Sequence, residues 1–173
     1  SVGALADNDF KDHLMEVARA HNRKIYVANG AIGGFDLMQT VSLMGAEEVT
    51  INTYKEPESL NGAPYLKGKV LPQDHEEVIF EGDASEAIRG FPNNVNIAIA
   101  TSLASRFPKT KVIIHSVPGL TENRHTIELG CDHLHATISV RSFPNPEHPI
   151  NSEATAFSVL AMLRNIASTI HYF

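Results

Sequence analysis

The 173 residues are enough for one domain with a real core, and ordinary apolar and charged fractions exclude a disordered chain. A net charge of −6 excludes the basic stripe of a nucleic-acid surface, and no apolar run reaches the roughly 18 residues of a membrane-spanning helix. One cysteine, Cys131, excludes an internal disulfide and a cysteine-built metal cluster, and fits a reducing cytoplasm.

The first residues, SVGALAD, read as the tail of a strand entering a loop. They lack the basic region of a secretory signal. Their small apolar residues need cover from upstream, so a longer parent protein is expected. Asp7 or Asn8 can cap a helix over 9–20 that places Phe10, Leu14, Val17 and Ala18 on one face. KIYVA (24–28) reads as a short strand and NGAIGG (29–34) follows at once. A helix over 35–44 stops at Gly45, and alternation predicts a strand over 48–54. Residues 55–75 hold three prolines and two glycines. They read as a surface excursion, either a functional flap or a plain solvated loop.

Residues 77–80 are extended, and Asp83 caps a short helix over 84–89 that ends at Gly90-Phe91-Pro92. A mostly apolar helix over 95–107 and an apolar strand over 111–117 come next. Two alternating segments, 124–129 and 134–140, flank Gly130-Cys131-Asp132 and predict an antiparallel hairpin. Prolines at 144, 146 and 149 then forbid regular structure. Asn151 or Ser152 caps a last helix over 152–169, with Ala156, Val159, Leu160, Leu163 and Ile166 forming a broad stripe. The pattern predicts an α+β fold over 1–173: a mixed sheet, its last three strands antiparallel, with helices packed mainly on one face. The other face needs cover, and a second copy would supply it as a homodimer or higher homo-oligomer.

Several constellations bear on chemistry. NGAIGG lacks the G-x-G-x-x-G spacing of a dinucleotide fingerprint. Glycine there either lets backbone approach a ligand or makes a tight turn into the helix. Five of the nine histidines fall between His115 and His148. His133 and His135, spaced i,i+2, would share a strand face. With His125 they make either a metal site or a set of solvated strand histidines, and no metal motif accompanies them. His115 in its apolar strand reads as a satisfied core histidine. His125 opens the hairpin beside the proline loop and a helix N-terminus, which suits an anionic substrate. No G-x-S-x-G is present, and Ser152 has an adequate role as a cap. Asn96, in the first turn of its helix, could bond the carboxamide of a nicotinamide or be an exposed first-turn residue.

SVGALAD, NGAIGGFD, EGDASEAIRGFPNNVNIA, ENRHTIE and NPEHPINS occur in this order. Together they resemble the L-aspartate dehydrogenase family over nearly the whole chain, specifically its C-terminal catalytic and oligomerisation domain. The resemblance implies NAD- or NADP-dependent oxidative deamination of aspartate, through iminoaspartate, to oxaloacetate and ammonia. It implies that His125 is the active-site histidine and that Ala31 and Asn96 touch the nicotinamide end of the cofactor. The family's N-terminal Rossmann domain is not in this sequence, so residues 1–173 alone are expected to be inactive. Where the family commonly has lysine in Asn-Pro-Lys-Thr-Ser, this chain has Ile150, so a related dicarboxylate is an alternative substrate. A non-catalytic oligomerisation or ligand-binding module of the same fold is the alternative reading.

Overall fold

The computed structural model of the chain describes residues 1–92, 96–143 and 153–172. Five strands form one mixed sheet: β1 Glu48–Lys55, β2 Glu77–Asp83, β3 Lys111–Ser116, β4 Asn123–Cys131 and β5 Leu134–Ser142, in the order β2-β3-β1-β4-β5. β1 runs parallel to β3 and antiparallel to β4, while β2 pairs antiparallel with β3 and β4 with β5. The helices are α1 Asn8–Ala20, α2 Phe35–Leu43, α3 Ala84–Gly90, α4 Asn96–Ser105 and α5 Glu153–Ala167.

The predicted α+β architecture is the one observed. Across one face, Val49, Ile51 and Thr53 of β1 stand level with Leu129, Ile127 and His125 of β4. Those residues in turn stand level with Ala136, Ile138 and Val140 of β5. Val112 and Ile114 of β3 complete the rows. Met38 and Val41 of α2, and Ala98, Ile99 and Ala100 of α4, are buried in the same core. Each fully buried branched side chain contributes about 1.5–3 kcal/mol. A one-residue slip of β1 would put Asn52 and Tyr54 in place of Ile51 and Thr53, so this apolar face fixes the register. α3 is set at its start by a capping box: Asp83 accepts from the Glu86 N–H while the Glu86 carboxylate accepts from the Asp83 N–H.

The structure corrects five local expectations. The first residues form a 3-10 turn, Val2–Ala6, rather than a strand end, because the Ser1 hydroxyl caps Gly3 N–H and Asp7 caps α1. Residues 24–28 join no ladder of the sheet, and Ile25 and Tyr26 remain exposed. So short a run buries too little to win a sheet edge. The excursion at 55–75 is anchored at points along a largely exposed path: two 3-10 turns, Pro57–Leu60 and Pro64–Leu66, place Leu60 and Leu66 in the core, and Leu71 is buried there as well. The last three strands do alternate in direction, but β1 lies between β3 and β4. The hairpin reverses at Asp132 and His133, with Gly130 and Cys131 still paired in β4. The proline loop from 144 on and the Asn151/Ser152 cap lie outside the described residues.

Candidate active site

His125 sits in the third position of β4 and is 4% exposed. Alternation points it to the helix-covered face, level with Thr53 in β1 and Val140 in β5. Its Nδ1 lies 3.3 Å from the Thr53 hydroxyl. That contact orients the ring and assigns Nε2 as the nitrogen for other chemistry. One step toward the end of the sheet comes a polar row. Lys55 is level with Ser116, and Asn123 with Ser142. The Lys55 ammonium donates to the Asn123 side-chain oxygen. The apolar floor of the sheet thus gives way to an ammonium, an amide and two hydroxyls beside a buried imidazole.

Two forces act on that imidazole in the same direction. Burial removes water from the charged form, and the Lys55 ammonium repels a second positive charge, so the His125 pKa falls to about 3. His125 is therefore neutral across the physiological range. Unfolded, it would titrate near its ordinary value of about 6.5. Between these two values the unfolded chain binds the extra proton, so His125 costs the fold stability as pH falls from about 6.5 toward 3. At about pH 4.5 this amounts to the order of 2–3 kcal/mol. Urea unfolding of wild type and His125→Gln at neutral pH and at about pH 4.5 should show the smaller acid loss in the variant. Equal losses would mean that His125 is not held in its neutral form.

Ala31 lies in the turn between Gly30 and Ile32, and the loop has a defined place. Ile32 is buried in the core, the Gly30 N–H donates to the Ser158 hydroxyl of α5, and Gly34 packs against Ile138. Ile138 is two residues from Val140, the β5 neighbour of His125, so the loop crosses the sheet close to the histidine row. A Cβ added at Gly30 or Gly33 would meet nothing within 4 Å, which leaves room beside the backbone on either side of Ala31. Asn96 opens α4, and its side-chain oxygen accepts from the Ser1 hydroxyl at 2.7 Å and from the Gly3 N–H at 3.2 Å. With the oxygen engaged, its amide –NH2 is the group suited to donate to a carboxamide.

The histidine trio does not assemble. His133 occupies the hairpin turn, and His135, level with Gly130, lies on the opposite face from His125. His115 is satisfied but is not the core histidine its apolar strand suggests: it lies half-buried on the sheet face opposite the core. Its two ring nitrogens contact Glu76 and Asn52 at 2.8 and 3.0 Å, and Tyr54 stacks on it at 4.3 Å.

Sequence reasoning passed over Lys55, Thr53 and Asn123. The signal was present in β1: Lys55 continues the parity of Val49, Ile51 and Thr53, a charged residue on the strand's apolar side.

A family profile described as "Aspartate dehydrogenase, C-terminal" matches residues 36–166. The chain belongs to this family. It is 38% identical to an L-aspartate dehydrogenase of Methanosarcina acetivorans over 98% of its own length and 64% of the relative's. It is 37% identical to one of Bradyrhizobium diazoefficiens, over 98% and 61%. A crystal structure of aspartate dehydrogenase from Thermotoga maritima superposes on the whole chain with a TM-score of 0.81 at 28% identity, covering 66% of that protein. The chain thus spans just under two thirds of the length of these relatives, and its sheet and helices have the architecture of the family's C-terminal domain.

Proposed function

We propose that the chain is the catalytic and oligomerisation domain of an NAD- or NADP-dependent L-aspartate dehydrogenase. Its reaction is the oxidation of aspartate, through iminoaspartate, to oxaloacetate and ammonia. The observation that carries this reading is the buried, neutral imidazole of His125, set beside the Lys55 ammonium in a chain of this family. A neutral Nε2 is a proton acceptor. It can accept the proton of water adding to the imine carbon and return it to the departing ammonia, while the proton lost from the substrate's ammonium group goes to solvent. A bound substrate carboxylate offsets the Lys55 repulsion that lowers the His125 pKa. Thr53 keeps the ring oriented through Nδ1. The residues present fit the nicotinamide end of a dinucleotide: the open backbone around Ala31 gives a ring close approach, and the Asn96 amide gives its carboxamide a donor. When bound, that ring supplies the acceptor for hydride from the substrate's α-carbon.

The same reading places the protein in the cytoplasm as a homo-oligomer. No described helix is long and apolar enough to cross a membrane. The sheet face opposite His125 carries Asn52, Tyr54, Ile113, His115, Thr126 and Ser139, a mixed surface that a second copy can cover. Light scattering should give at least a dimer, and a monomer at high concentration would remove this part of the proposal.

The direct test is turnover by the full-length protein. L-Aspartate with NAD or NADP should yield reduced dinucleotide, oxaloacetate and ammonia. Binding of aspartate without reduction of either dinucleotide would favour the non-catalytic module instead.

A further inference from the structure

We infer that Lys55, together with the hydroxyl of Ser116 or of Ser142 on either side of it, is the seat of a substrate carboxylate beside His125. The inference builds on the dicarboxylate reading above and assigns residues to it.

The argument starts from charge. Lys69 and Lys111 each meet a carboxylate, Glu77 and Glu81 respectively. Lys55 is half-buried on the covered face of the sheet, yet its recorded partner is the neutral side-chain oxygen of Asn123. Among the described residues no carboxylate pairs with it. An ammonium drawn out of water with only a neutral amide for company is costly, and burial pulls its pKa below the ordinary lysine value. A bound anion would offset that cost.

The second observation is independent of charge. The Oγ atoms of Ser116 and Ser142 are both buried and, among the described residues, neither has a hydrogen-bond partner. Buried hydroxyls normally have one. Ser116 is level with Lys55, and Ser142 is level with Asn123, which Lys55 bonds. One row across four strands therefore offers an ammonium and two hydroxyl donors, next to the row that holds His125. Three strand spacings, about 14 Å, separate the two serines, so one carboxylate, a planar acceptor with about four lone-pair sites, is held by the Lys55 ammonium and one of the two hydroxyls. Seated there, it would bring the rest of a short dicarboxylate or amino acid up to the imidazole.

Succinate is the probe, because it has two carboxylates and no amine to oxidise. Its binding to the full-length protein is measured by calorimetry without dinucleotide. Lys55→Met keeps the alkyl stem and removes the charge, and it should weaken succinate by about 10–100-fold. Lys55→Arg should recover part of that loss. Ser116→Ala and Ser142→Ala, milder changes that test the row if Lys55→Met does not fold, should differ: the one whose hydroxyl meets the carboxylate should weaken succinate by about 3–10-fold. With aspartate as substrate, the loss in Lys55→Met should appear mainly in KM. Succinate affinity within twofold of wild type in Lys55→Met, or in both serine variants should Lys55→Met not fold, would overturn the assignment, whatever the dehydrogenase assay gives. A protein that never reduces a dinucleotide but loses succinate on Lys55→Met would overturn the reaction and leave this carboxylate seat standing.

Discussion

His125→Ala in the full-length protein should lower kcat by roughly 10²–10⁴, the range for loss of one general acid–base. The loss should fall on kcat more than on KM, because a proton acceptor acts mostly in the transition state. His125 is buried, and its Nδ1 is engaged by Thr53, so the truncation also opens a small cavity. His125→Gln, which fills more of the space, should be nearly as inactive if the imidazole's basicity is what matters. His133→Ala and His135→Ala serve as controls. One residue is in the hairpin turn and the other is on the far face of the sheet, so both should retain nearly full rate. Equal losses in all three would indicate a shared site that the strand parity does not provide, and an undiminished rate in His125→Ala would remove the catalytic assignment.

That histidine shows how far a sequence carries an argument of this kind. The hairpin was legible because its alternation is long: Leu134, Ala136, Ile138 and Val140 alternate with polar residues, and β5 is Leu134–Ser142. His125 was legible as a candidate from its place at the start of a strand. Its protonation state was not, because it depends on burial and on Lys55, a residue 70 positions earlier in the chain. Lys55 was overlooked because a lysine at a strand end ordinarily extends into solvent. Only the pairing of β1 with both β3 and β4 shows that it is hemmed in on each side. The strand order is a matter of the same kind. β1 and β3 pair in parallel across the intervening α3 and α4, and local patterning carries no information about that crossover. The brief apolar run at 24–28 made the opposite error, since its apolar residues suggested a strand, yet among the described residues it has no ladder partner. Ile150 lies outside the described residues, and Lys55 is the cation that the structure sets beside His125.

The largest effect on stability should come from the loop that joins Ala31 to the histidine row. Gly34 has φ +77° at the N-terminus of α2, in the left-handed region. A Cβ there would lie 2.2 Å from Ile138 Cδ1 and 3.2 Å from Cγ1. Gly34→Ala therefore combines two costs. The backbone penalty for a non-glycine residue in this region is about 1–2 kcal/mol. Overpacking against a core side chain adds about 1–3 kcal/mol, the lower end applying if the Ile138 methyl can rotate away. The expected loss is about 2–5 kcal/mol in denaturant unfolding, with a shift in midpoint and little change in slope. Ile138→Val removes the colliding Cδ1 and should cost about 0.5–1.5 kcal/mol alone. Combined with Gly34→Ala it should relieve the steric part, so the double variant should lose clearly less than the sum of the singles. The backbone part should remain, because valine at 138 does nothing for φ at 34. If the two losses simply add, the loop does not press on β5 as described. Ala31 would then have no fixed position relative to His125, and the nicotinamide placement built on that position would fall with it.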